Sequence, residues 1–112
     1  MSTLSVQTRN EGETVVVALV GAAGLGGAEA LERELTTLSA RRPPRGVFDL
    51  SQLTFISSMG IGVLVGFQRD VTAWHGTMAL AGATDNVATA LRRCRLDELF
   101  VMTPTPPRGG VT

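Results

Sequence analysis

An α/β fold is what this sequence predicts: a single domain on a mixed, mostly parallel sheet, with elements in the order ββαβαβαβ. Three observations carry the prediction. First, Leu4-Ser5-Val6-Gln7-Thr8-Arg9 alternates apolar and polar residues, the period of a half-exposed strand; the turn residues Asn10-Glu11-Gly12-Glu13 lead from it into the β-branched run Thr14–Val20, so the two form a hairpin. Second, apolar residues at helical spacing alternate with short apolar runs beyond the hairpin, the pattern of right-handed crossovers between parallel strands. Third, 112 residues of which 44% are apolar suffice for one core and one domain. The pattern leaves open whether the helices cover one face of the sheet or both.

Thr14–Val20 is apolar on both parities and reads as a central strand buried on both faces. Gly21 to Gly27 ends it as a flexible turn. Ala28, Leu31, Leu35 and Leu38 then mark the inner stripe of an amphipathic helix, with Glu29, Glu32, Arg33 and Glu34 outside. Acidic residues in its first half and Arg41-Arg42 after its end suit the helix dipole, and Pro43-Pro44 forbids another turn. Val47–Leu50 is a short strand. The next helix spans Gly60–Trp74: Gly60, Leu64, Phe67, Val71 and Trp74 repeat at intervals of four and three, and Ile61, Val63 and Val65 widen the apolar face. His75-Gly76 stops it.

Thr77–Ala81 is a third parallel-type strand. Thr84 or Asp85 caps a helix over Asn86–Cys94, with Val87, Leu91 and Cys94 inward and Arg92, Arg93 and Arg95 at its C-terminal end. Leu96 and Leu99 close the core, and Phe100–Met102 is a short edge strand. The domain is thus expected over residues 1–102. Residues 103–112, rich in Pro and Gly, are expected to be a mobile tail, neither helix nor paired strand.

Composition narrows the functional classes. Ten Arg balance ten acidic residues, so the formal net charge is +0 and no electrostatic footprint for direct nucleic-acid binding exists. A single cysteine, Cys94, excludes an intrachain disulfide and a cysteine zinc site, and His75 is the only histidine. The N-terminus lacks the basic and apolar regions of a signal peptide, and no apolar run reaches the ~18 residues of a membrane span. The expectation is a cytoplasmic protein with no membrane insertion and no cofactor.

One stretch is out of character for a core: Phe55-Ile56-Ser57-Ser58-Met59-Gly60-Ile61-Gly62, joining a strand to a helix. Its two hydroxyls fall at the helix start, where a Ser side chain can accept from free N–H groups. A phosphate there is favoured by the helix dipole. Gly60 and Gly62 leave the first turn unshielded, so a flat partner can approach closely. A plain helix cap packed by small residues explains the same letters.

The segment Phe48-Asp49-Leu50-Ser51-Gln52-Leu53-Thr54-Phe55-Ile56-Ser57-Ser58-Met59-Gly60-Ile61-Gly62-Val63-Leu64 closely resembles the signature of the STAS domain family, the bacterial anti-sigma factor antagonists. The resemblance extends from the N-terminal hairpin to Leu96-Asp97-Glu98-Leu99-Phe100, which is similar to the family's short loop into its final strand. It implies a single STAS-like domain and a partner switch. The unmodified domain binds an anti-sigma factor serine kinase and frees the sigma factor; the kinase then phosphorylates the Ser or Thr two residues before the motif glycine, and a metal-dependent serine phosphatase resets it. Carried onto this chain, the acceptor is Ser58, and the partner surface comprises Gly24, Ser57, Ser58, Met59, Gly60 and Ile61. Many members have Asp before the acceptor and an acidic residue after the second strand; this chain has Ser57 and Gly24 there. Members usually end in a further helix, whereas this sequence ends in the Pro- and Gly-rich stretch, so a truncated or detached last element is expected.

Other chemistries fare worse. Gly21-Ala22-Ala23-Gly24-Leu25-Gly26-Gly27 fails the dinucleotide spacing because Glu29 stands where a third glycine is needed, and the chain has no Lys for a Walker loop. A triad of Ser57 or Ser58 with His75 and Asp49 lacks the nucleophile elbow, and His75 lies at the far end of the same helix. Cys94 reads as a small core residue. The rivals to a switchable antagonist are the same fold as an accessory subunit of a membrane transporter ATPase, or as a scaffold subunit of a stress-signalling assembly.

Overall fold

The computed structural model describes residues 4–103. Strand β1 (Leu4–Glu11) turns through Gly12 and Glu13 into β2 (Thr14–Ala23), and Gly12 takes the left-handed φ of +65° that so short a connection needs. Helix α1 (Leu25–Arg41), β3 (Arg45–Ile56), α2 (Ser58–Ala73), β4 (Thr77–Ala81), α3 (Asp85–Arg93), the single turn α4 (Leu96–Leu99) and β5 (Val101–Thr103) follow. The expected α/β architecture with a mixed sheet is present. β1 pairs antiparallel with β2, and all other pairs are parallel.

Spatial strand order is the chain order, β1-β2-β3-β4-β5. Each crossover therefore steps the same way, and right-handed crossovers then put every helix on one face. The core agrees. It takes one parity of each strand (Val15, Val17 and Leu19; Phe48 and Leu50; Met78 and Leu80) together with residues from all four helices, among them Leu31, Leu64, Leu91 and Leu96. The alternate residues Ala18, Val20, Val47, Asp49 and Ala79 are half-buried on the other face, whereas Val16 and Ala81 are buried there. The question of one face or two is settled as one for the helices, while Val15, Val16 and Val17 in β2 are all buried, so the strand is covered on both faces along that stretch.

Several boundaries differ from the sequence reading, each for a visible reason. β2 runs on to Ala23, because Gly21, at φ +109°, absorbs a register shift against β3 instead of ending the strand. Only Gly24 separates β2 from α1, so the Gly-rich stretch is strand, cap and first turn, not a flexible turn. β3 continues from Val47–Leu50 to Ile56; a bulge near Ser51 lets both Leu50 and Leu53 face the core and scrambles the alternation. Cys94 is exposed, since α3 stops at Arg93 and the thiol lies beyond its buried stripe. Leu96–Leu99 winds one helical turn, and β5 takes in Thr103, which pairs with Ala81. The remainder of the expected tail lies outside the described residues.

α2 ends at Trp74 with His75, not Gly76, in the left-handed region at φ +63°. The Gly76 N–H donates to Val71 O (2.9 Å) and His75 N–H to Thr72 O (3.0 Å), a paired closure of the last turn. Trp74 Nε1 donates to Pro43 O at 2.9 Å, tying this end to the loop before β3. At the centre, Phe48 meets Phe67 and Phe100 edge-on at ring distances of 5.9 and 6.4 Å, joining β3, α2 and the entry to β5. Phe48→Ala removes the shared member of both pairs and is expected to cost about 3–5 kcal/mol, read from urea denaturation. A loss below about 1 kcal/mol is incompatible with Phe48 as the hub of this core.

Candidate functional site

The C-terminal ends of β2, β3 and β4 lead into the first turns of α1, α2 and α3, so three helix starts share one end of the sheet. The two central starts are joined through Ser57. Its N–H donates to Ala23 O at 2.9 Å, fastening the end of β3 to the end of β2. Its Oγ accepts from Gly60 N–H at 3.1 Å, and its carbonyl accepts from Ile61 N–H at 2.9 Å, so Ser57 is the N-cap of α2.

Ser58 is the first residue of α2, exposed, and its hydroxyl makes no hydrogen bond among the described residues. Beside it Met59 is 52% exposed, and Phe55, near the end of β3, is 49% exposed. Exposed large apolar side chains thus precede and follow this serine in the chain. Gly24, half-exposed and next to Ala23, caps α1 with backbone alone. Neither α1 nor α2 carries an acidic residue in its first turn, so the positive ends of both dipoles are unopposed there.

Gly60 and Ile61, expected on the partner surface, are buried. A Cβ on Gly60 would lie 3.0 Å from Ile56 Cγ1 and 3.5 Å from Ala23 Cβ, so this glycine permits close approach of α2 to the strands beneath it. Gly62 does face outward, with open space where a side chain would be. Gly62 is unshielded as its sequence reading requires, while Phe55 is an exposed apolar residue that the expected partner surface does not include. Phe55 follows the buried Leu53 by two residues, and the register shift between them, at Thr54, turns it outward.

The hydrolase arrangement does not assemble. Asp49 Oδ1 accepts from the N–H and the hydroxyl of Ser51, at 3.1 and 2.7 Å. His75 follows the far end of the 16-residue α2, roughly 24 Å from Ser58 at 1.5 Å per residue. Thr54 Oγ1 donates to Gly21 O at 2.9 Å and Asn86 Nδ2 to Thr54 O at 3.2 Å, so the polar groups flanking Phe55 hold the strand end in place.

Comparison with known proteins adds the following. The family model described as the STAS domain matches residues 5–107. No curated protein matches the chain. An anti-sigma factor antagonist from Mycobacterium paratuberculosis is similar in structure, with a TM-score of 0.84 at 24% identity, over 91% of this chain and 86% of that one. The Bacillus cell fate determinant SpoIIAA in its phosphorylated form superposes with a TM-score of 0.70 at 20% identity, over 88% and 90% of the two chains. A sulfate transporter family protein from Wolinella succinogenes gives 0.74 at 18% identity, over 87% and 81%.

The two serines carry opposite expectations for stability. Ser57→Ala loses the cap and should cost about 1 kcal/mol, whereas Ser58→Ala should be neutral within about 0.5 kcal/mol, both by urea denaturation. Gly62→Ala should be neutral or stabilising by up to about 1 kcal/mol, since the helix gains and nothing clashes; Gly60→Ala should destabilise. Equal effects at the members of either pair contradict the geometry described.

Proposed function

Because the chain belongs to the STAS domain family, we propose that it is an anti-sigma factor antagonist that docks on a serine-kinase anti-sigma factor and is released when Ser58 is phosphorylated. The observation that carries this reading is the exposed, unengaged Ser58 hydroxyl at the start of α2, between exposed Phe55 and Met59. A partner that covers these side chains gains apolar burial at a spot where no charge has to be desolvated. Phosphorylation adds about −1.5 to −2 charges at the middle of that contact.

The same dianion suits the fold. It arrives at a helix start with no acidic side chain in the first turn of α1 or α2, so the free protein accepts it while the complex does not. The switch needs no rearrangement of the domain, only a change in what its surface tolerates. Gly24, Ser57 and Met59 form the remaining described contact surface, and Gly60 and Ile61 act from beneath it by setting where Ser58 stands. A metal-dependent serine phosphatase restores the unmodified surface. The protein works in the cytoplasm as a binding module, with no catalytic role of its own.

Two measurements test this. Incubated with its cognate serine kinase and ATP, the protein should gain one phosphate, mapped to Ser58 by mass spectrometry and absent from Ser58→Ala. No phosphate at Ser58, while a control antagonist is modified, sinks the switch. In partner binding by calorimetry, Ser58→Asp should weaken the complex on the order of tenfold or more, yet leave the fold as stable or up to about 1 kcal/mol more stable. Equal binding by Ser58→Asp and Ser58→Ala would favour permanent docking of the transporter-accessory or scaffold kind.

A further inference from the structure

β3 reaches the candidate site with little support from the sheet. Among the described residues, β4 pairs with it only as far as Asp49, so the last part of the strand has β2 on one side alone. Even that pairing is broken. Gly21 stands opposite Leu53 and Ala22 opposite Phe55, which leaves Thr54 as an extra residue without a partner on β2. The extra residue decides where Phe55 points. In an unbroken strand residues two apart share a face, and Phe55 would follow the buried Leu53 into the core. With Thr54 inserted, Leu53 and Ile56 both lie inside and Phe55 is exposed.

A slip of one residue would send Phe55 to the other face, so the arrangement holds only if the bulge is fixed in place. Two side chains fix it. Thr54 Oγ1 donates to Gly21 O at 2.9 Å, at the residue of β2 where the pairing jumps. Asn86 Nδ2, in the first turn of α3, donates to Thr54 O at 3.2 Å. Thr54 is thus gripped through its hydroxyl by β2 and through its carbonyl by α3. We propose that Thr54 and Asn86 are positioning residues of the partner surface: neither has to touch the partner, and together they keep Phe55 turned outward. The proposal rests on the antagonist reading in one respect, that Phe55 is among the side chains a partner covers. It brings α3 into the recognition unit, although no residue of that helix belongs to the signature segment. Aromatic anchors carry a large share of interface energy, which makes the direction of this ring a determinant of affinity.

Fluorine NMR on the free protein tests the positioning, and partner binding tests its consequence. With 4-fluorophenylalanine at all four phenylalanine positions, the Phe55 line, identified by its absence from Phe55→Leu, should show the solvent isotope shift of a ring in water. In Thr54→Val and in Asn86→Ala that line should move or split and its isotope shift should fall, with Phe48, Phe67 and Phe100 unmoved. Thr54→Ser keeps the hydroxyl and should match the parent. An unchanged Phe55 line in both variants overturns the proposal, as does displacement of all four lines together, the mark of a general loosening. In calorimetry with the cognate serine-kinase anti-sigma factor, Asn86→Ala should weaken binding about threefold or more in the parent and no further in a Phe55→Ala background. Equal losses in the two backgrounds also overturn it, because Asn86 then acts without Phe55. A parent chain that fails to bind this partner sinks the antagonist reading, and the fluorine lines still decide the positioning.

Discussion

Strand order that follows chain order is the constraint on which the rest of this molecule depends. With every parallel step taken in one direction, the right-handed crossover rule leaves the helices a single face to occupy. That choice divides the residues of each strand by parity. Val15, Val17 and Leu19, with Phe48 and Leu50, make the core, and Val16, Ala18 and Val47 look the other way. It also brings the starts of α1, α2 and α3 to one end of the sheet. The candidate site is thus a by-product of topology before any specialised residue is considered.

Specialisation begins with how tightly the two central helix starts are fastened. Ser57 spends its N–H on Ala23 O and its Oγ on Gly60 N–H, while the missing side chain of Gly60 lets α2 settle onto Ala23 and Ile56. These small groups fix the height at which the next residue emerges. The apolar residues that flank it, Phe55 and Met59, would be expected inside a domain that had no partner to meet. Rigid beneath and apolar above is the arrangement that lets a local change of charge alter recognition without altering the fold.

Much of this was legible in the sequence where local signals stand alone. β4 appears over Thr77–Ala81 as read, because His75-Gly76 and Gly82 bracket it. The α2 stripe Leu64, Phe67 and Val71 is buried as its spacing requires. Legibility fails where two strands negotiate register. β3 is read too short because its bulge places Ser51 and Gln52 together in solvent, and a second register shift, at Thr54, turns Phe55 outward, a fact no single-chain periodicity contains. Gly21 reads as a strand end, yet a glycine at positive φ also serves a register shift. Cys94 fits the inward spacing of Val87 and Leu91 only if α3 lasts one residue longer than it does. The single helical face follows from strand order, which local pattern does not encode.

The contrast between adjacent serines has one more implication. An enzyme that selects hydroxyls by flanking letters alone would find Ser57 and Ser58 hard to tell apart. In the folded chain one oxygen is already bound into the helix cap, and its neighbour is idle and facing outward. Under the proposed switch, discrimination would therefore be exercised by the architecture of the domain. Unfolding the tip would erase the structural distinction between the two hydroxyls, so a modification confined to Ser58 would report that the domain is intact.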